Sequence, residues 1–177
     1  MGKPKEESNI LENAPARIFL GLGSNIGNRL LHLEEAIAGL QKGGFTVTAQ
    51  SASYETPPWG LKEQPSFLNQ VIEGRYAGTA IELLTLAMQV ETQAGRERLV
   101  HWGPRVLDID ILAFGQEVVA SQRLTVPHPF AQQRAFVLIP WAEIAPHFIL
   151  PGQADSIVKL MEALPPEDLA SIEKIGR

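Results

Sequence analysis

Val106 to Phe114, VLDIDILAF, reads as a strand that sets two aspartates among core-type side chains. Leu107, Ile109, Ile111, Leu112, Ala113 and Phe114 surround Asp108 and Asp110, and aspartate is rarely buried unless it is paired or bound to metal. Strand residues two apart face the same way, with Cα atoms about 6.5 Å apart, so the two carboxylates can share hard cations, magnesium first among them. The alternative is a solvated strand face. The polar alternation of such a face stops at Ile111 and Ala113, and Arg105 arrives just upstream behind the Gly103-Pro104 turn. The run from Trp102 to Asp110 therefore reads as a metal and phosphate site.

Working outward, the preceding segment Thr79 to Ala94 is a helix, opened by a Thr79/Glu82 capping box and closed by Gly95. Before it, Phe67 to Tyr76 alternates as a strand, with Phe67, Asn69, Val71 and Glu73 on one face and Leu68, Gln70 and Ile72 on the other. Phe45 to Glu55 is extended chain, rich in β-branched and aromatic residues. Ala16 to Leu22 is a buried first strand, and Leu30, Leu33, Ile37 and Leu40 recur at helical spacing between an Asn28 cap and Gly43-Gly44. The order βαββαβ is the split βαβ pattern of an α+β, ferredoxin-like sandwich. Such a fold sets helices on one face of an antiparallel sheet and leaves the other face available. Later elements are a short strand at 117–119, a helix over 135–143 broken at Pro140, and a helix over 155–164. The expected organisation is a flexible tail at 1–15, a single domain at 16–164 and a peripheral segment at 165–177.

A chain of 177 residues, 45% hydrophobic, suits one globular domain. The absence of cysteine excludes disulfides, thiolate metal sites and a cysteine nucleophile. No stretch has the apolar length of a membrane span or the pattern of a secretory signal, so a cytoplasmic location is expected. A net charge of −5 argues against broad binding to nucleic acid or anionic membranes. Positive charge is nevertheless concentrated: between positions 96 and 134 stand Arg96, Arg98, Arg105, Arg123 and Arg134, with His101 and His128 and no lysine. Guanidinium forks match phosphate oxygens, whereas solubilising charge would mix lysine with arginine.

Several further residues admit two readings each. Gly23-Ser24-Asn25 at a strand-to-helix turn could cradle phosphate, or be only a tight turn. Thr56-Pro57-Pro58-Trp59-Gly60 is a stiff loop or a plain surface turn. Phe67 and Phe136 suit a core as well as a stacking site, and Trp102 is a core plug or a lid. Asn69 can read a heterocycle edge with its amide or serve as a structural amide. His128, between prolines, is a phosphate contact or a surface histidine. Glu91 is an outer partner of the aspartates or a solvated helical carboxylate.

Five ordered motifs then point one way: GLGSNIGNR at 21–29, SYETPPWG at 53–60, QPSFLNQV at 64–71, WGPRVLDIDIL at 102–112, and LTVPHP at 124–129 followed by Arg134 and Phe136. Across about 17–150 the chain resembles the 6-hydroxymethyl-7,8-dihydropterin pyrophosphokinase family of folate biosynthesis. The resemblance implies a ferredoxin-like fold, ATP with two magnesium ions, and transfer of an intact pyrophosphoryl group to the pterin hydroxymethyl oxygen, leaving AMP. It implies that Asp108 and Asp110 hold the metal ions and that Arg96 and Arg105 steady the transferring group. Arg98, Ile111, Arg123, Thr125, His128 and Arg134 fall at ATP positions. Thr56, Pro58, Trp59, Phe67, Asn69, Trp102 and Phe136 fall at pterin positions. His101 stands where relatives commonly have arginine, the run from Gly95 to Trp102 is shorter than in several of them, and Phe67 replaces a tyrosine seen in some.

Two rival readings are a nucleotidyltransferase, which would release pyrophosphate instead of AMP, and a non-catalytic ferredoxin-like module that binds RNA through exposed aromatics. In nucleotidyltransferases the Gly-Ser pair and the spaced aspartates lie close in sequence, whereas Ser24 and Asp108 here are far apart. The acidic balance and missing RNP pattern weigh against RNA. Small-molecule partners are expected, with neither nucleic acid nor membrane. The oligomeric state is not legible in the sequence, and a monomer is compatible with it.

Overall fold

The computed structural model describes residues 15–57, 63–95 and 106–176. Strand β1 (Ile18–Ser24) leads into helix α1 (Arg29–Lys42), whose Asn28 cap accepts a hydrogen bond from the Leu31 amide. The extended stretch that follows is two strands, β2 (Thr46–Gln50) and β3 (Ser53–Thr56), and both pair with β4 (Phe67–Arg75). Ser51 marks the break between them: its hydroxyl donates to the Ala52 carbonyl and accepts from the Val71 amide. Helix α2 (Ala80–Gln93) carries the expected capping box, and β5 (Asp108–Phe114) completes the core order.

The sheet runs β5-β1-β4-β3-β8, with β2 also on β4, and every neighbouring pair is antiparallel. Helices α1 and α2 cover one face. Ile18, Leu20 and Leu22 of β1, Ile72 of β4 and Ile109 and Ile111 of β5 meet Leu33 and Leu40 of α1 and Leu83 of α2 there. Each such buried aliphatic side chain is worth roughly 1.5–3 kcal/mol. The α+β ferredoxin-like expectation holds.

Beyond β5 come the hairpin β6 (Val119–Ala120) and β7 (Thr125–Val126), a 3-10 turn at Ala131–Gln133, then α3 (Ala135–Ile144), α4 (Ile157–Glu162), α5 (Pro166–Ala170) and β8 (Glu173–Gly176). These additions change three expectations. Helix α3 is not broken at Pro140: Val137, Leu138, Pro140 and Trp141 are buried, and that packing outweighs one missing backbone donor. The segment after 164 is not wholly peripheral, because β8 pairs with β3 and widens the sheet. The second face is only half available. Phe19, Val71, Leu112 and Ala113 are covered by Val137, Leu138, Trp141 and Phe148, with the Phe19 ring 5.2 Å from Trp141 and 4.7 Å from Phe148.

Candidate active site

The uncovered half of that second face is organised by strand register. Gly23 lies opposite Asn69 of β4 on one side and Asp108 of β5 on the other, while Gly21 lies opposite Val71 and Asp110. Directly paired residues share a face, so Phe67, Asn69, Asp108 and Asp110 project on the side of Phe19, away from α1 and α2. With strands about 4.8 Å apart, Asn69 and Asp108 stand about 10 Å apart across a floor from which glycine removes the side chains. The trough depends on that glycine: a Cβ on Gly23 would sit 2.7 Å from Asn69 Oδ1.

One wall of the trough is built by β3 and β4. Thr56 is opposite Phe67 and nearly fully buried, and its Oγ1 accepts a hydrogen bond from Asn69 Nδ2 at 2.7 Å. Asn69 is half-buried, so its amide is neither a core group nor a solvated one. Tyr54, opposite Asn69, extends the same row. Its hydroxyl donates to Glu143 Oε2 of α3 at 2.5 Å, and the same carboxylate accepts the Ala52 amide at 3.1 Å. Burial, and then the Glu143 carboxylate, raise the Tyr54 hydroxyl well above the ordinary tyrosine value.

The other wall lies beyond the free edge of β5. The His128 amide donates to the Leu112 carbonyl at 3.0 Å, which fastens the chain after β7 alongside β5. His128 Nδ1 accepts the Phe130 amide at 3.2 Å, and burial, followed by the nearby Arg134, lowers the imidazole to about 4, so it is neutral near pH 7. The Arg134 guanidinium lies over two rings, 5.3 Å from the Phe130 centroid and 5.6 Å from Phe136. Cation–π contact of this kind fixes the guanidinium plane. Arg123 and Thr125 are exposed on the β6–β7 hairpin, and Phe136 stands in the first turn of α3, partly buried against its core.

Glu91 proves to be a buried outer partner rather than a solvated carboxylate. It is 5% exposed and its Oε1 accepts the Ile109 amide, the residue between the two aspartates, at 2.8 Å. The Ile109 amide therefore points away from β1, and Ile111 shares that orientation. The Ile111 side chain itself lies in the helix-side core at 4% exposure. An adenine contact at this position would therefore run through the Ile111 main chain, which is turned to the open edge.

The side chains of the Gly23-Ser24-Asn25 turn are engaged within the protein. Ser24 is buried on the helix side, and Asn25, 1% exposed, donates to Gln64 Oε1 and the Pro65 carbonyl, both at 3.0 Å. A cavity of about 300 Å³ lined by Gly27, Asn28, Arg29, Ser53, Leu68 and Ile175 also opens on that helix side, across the sheet from the aspartates. Pro58, Trp59, Arg96, Arg98, His101, Trp102 and Arg105 lie outside the described residues. Sequence reasoning overlooked Tyr54, Gly21 and Gly23 as parts of this face. The alternation of β3 back from Thr56 would have found Tyr54; the glycines needed the register.

The donor set suits magnesium. Among the described residues no group of three or more His, Cys, Asp and Glu side chains could hold a metal ion; Asp108 and Asp110 offer two carboxylates on one face of β5. Magnesium commonly binds in that way, through one or two carboxylates with water and substrate phosphates completing the shell.

Comparison with known proteins agrees with this geometry. Residues 19–146 match the family profile of 7,8-dihydro-6-hydroxymethylpterin-pyrophosphokinase (HPPK). The 2-amino-4-hydroxy-6-hydroxymethyldihydropteridine pyrophosphokinase of Methylorubrum extorquens is 42% identical over 160 residues, covering 90% of this chain and 98% of the relative. That of Bacillus subtilis is 46% identical over 127 residues, covering 71% and 76%. The mitochondrial folate synthesis bifunctional protein of Arabidopsis thaliana is 37% identical over 134 residues, 76% of this chain and 24% of that one. Among solved structures, wild-type Plasmodium falciparum HPPK-DHPS superposes with a TM-score of 0.66 over 84% of this chain at 13% identity. The chain spans 44% of that protein's length, and the likeness is one of fold. With the profile covering most of the chain and the Methylorubrum extorquens relative matched nearly end to end, the chain belongs to the 7,8-dihydro-6-hydroxymethylpterin-pyrophosphokinase family.

Proposed function

We propose that the chain transfers the pyrophosphoryl group of ATP to the hydroxymethyl oxygen of 6-hydroxymethyl-7,8-dihydropterin in folate synthesis, releasing AMP. One observation carries the reading: strand register lines up Asn69, Gly23 and Asp108 across the sheet, sets the Thr56–Phe67 pair beside them on the same face, and leaves the His128 segment beyond β5. The pterin occupies the β3–β4 end, stacked by Phe67 and Phe136, with its edge read by Asn69 and with Thr56, Pro58 and Trp59 around it; Trp102 closes over it. ATP occupies the β5 end, met by Arg98, Arg123, Thr125, His128, Arg134 and the main chain of Ile111. Asp108 and Asp110 would hold the two magnesium ions. Bound there, magnesium supplies charge neutralisation for the triphosphate and a template for in-line displacement.

The protein's own part is chiefly positioning and electrostatics. The hydroxymethyl oxygen attacks the β-phosphorus, the bond from that phosphorus to the α-phosphate oxygen breaks, and AMP leaves with that oxygen. Arg96 and Arg105 steady the charge on the moving group, and Asp108 accepts the hydroxymethyl proton. A neutral His128 donates a hydrogen bond from Nε2 to the triphosphate. The cytoplasm, with its ATP and magnesium, is the compartment that suits the reaction.

ATP labelled separately at the β- and γ-phosphates tests the reaction in a single turnover. Both labels on the pterin, one AMP per product and dependence on magnesium are expected. Free pyrophosphate would make the chain a nucleotidyltransferase, and ATP binding without turnover would make it a binding module.

A further inference from the structure

Helix α1 begins at Arg29, directly after its Asn28 cap, and has no acidic residue in its first turn. A cation there faces the positive end of the helix dipole, where anions are favoured, so Arg29 does not serve the helix it opens. It reaches across to the sheet instead. Its Nη1 donates to Glu55 Oε1 at 3.0 Å and to the Ser66 carbonyl at 2.9 Å. Glu55 immediately precedes Thr56, and Ser66 immediately precedes Phe67. One guanidinium therefore joins the end of β3 to the start of β4, the two points between which residues 57–66 run. Asn25 adds a parallel tie from the same strand-to-helix turn to Gln64 and Pro65.

The tie is on the side of the sheet away from the trough. Thr56 faces Phe67 on the trough side, and strand alternation turns Glu55 toward α1, where Arg29 meets it. Arg29 thus cannot touch a molecule held by Phe67 and Asn69. We propose that Arg29, through Glu55 and Ser66, is a positioning residue for the pterin end of the site, setting the separation of Thr56 and Phe67 and hence the Asn69–Thr56 hydrogen bond. This rests on the assignment of that end to the pterin.

The test is steady-state kinetics on Arg29→Met, Arg29→Lys, Glu55→Gln and the double variant Arg29→Met/Glu55→Gln, with thermal melting of each. Arg29→Met is expected to raise KM for 6-hydroxymethyl-7,8-dihydropterin about tenfold, with kcat and the KM for ATP within about twofold of wild type. Arg29→Lys, which keeps a charged donor, recovers most of that loss, and the double variant is no worse than Arg29→Met. A folded Arg29→Met or Glu55→Gln enzyme with unchanged pterin KM overturns the proposal, as does a rise shared equally by both substrates. If Arg29→Met does not fold, Glu55→Gln decides alone: a raised pterin KM supports the proposal. Wild-type protein that fails to turn over this pterin overturns the functional reading itself, whereas active wild type with an indistinguishable Arg29→Met overturns only the positioning role.

Discussion

An alanine at Gly23 would carry its Cβ to 2.7 Å from Asn69 Oδ1 and 3.8 Å from the Phe67 ring. Overpacking of this kind costs about 1–3 kcal/mol, and here it pushes aside Asn69, the side chain proposed to read the pterin edge. Gly23→Ala is expected to lower the melting temperature and to weaken pterin binding in calorimetry while leaving ATP binding close to wild type. His128 gives a second prediction at this scale. Its folded value, about 4, lies below the usual 6.5, so the unfolded chain takes up the proton first. The neutral imidazole's contribution to stability is complete above pH 6.5 and is lost progressively as the pH falls toward 4. Urea melts of wild type and His128→Gln should therefore converge across that window, and a constant difference from pH 7.5 to 4.5 would show that His128 is not held neutral.

Helix α3 and strand β3 are coupled through Glu143, which accepts both the Tyr54 hydroxyl and the Ala52 amide. Tyr54→Phe removes one donor from a carboxylate that is mostly covered, and a loss of about 1–2 kcal/mol in chemical denaturation is expected. A neutral result would mean that water replaces the hydroxyl without cost. At this scale the sequence was readable wherever the deciding contact was local. The two faces of β4, the Asn28 cap and the Thr79/Glu82 box depend on residues one to four positions apart, and all three are present. The Glu143–Tyr54, Arg29–Glu55 and Glu91–Ile109 contacts join residues 89, 26 and 18 positions apart. Nothing in local spacing marks them. Pro140 misled for a related reason, since the burial that holds α3 together comes from the sheet and not from the helix.

Over the whole molecule, the helices on one side and α3 on half of the other leave one open area of sheet, and the register places Asn69 and the aspartates on it. The order of core elements was legible, because alternation and capping identify each of them. The pairing β5-β1-β4 was not, and it is this pairing that converts separate motifs into one site. Strand β8 is exposed along its length and lies at the far side of the sheet from β5. Truncation after Ile172 should accordingly keep turnover while lowering the melting temperature by a few degrees, about 2–4 °C per kcal/mol lost; loss of turnover in a folded truncated protein would give β8 a role in the site. The aspartate pair is the centre of the account. Magnesium-titrated turnover of Asp110→Ala, beside circular dichroism of the same preparation, is its most direct test. Because metal-assisted charge stabilisation is worth several kcal/mol, a native fold with turnover reduced by about a hundredfold or more is predicted; a folded variant with wild-type turnover at every magnesium concentration would contradict it.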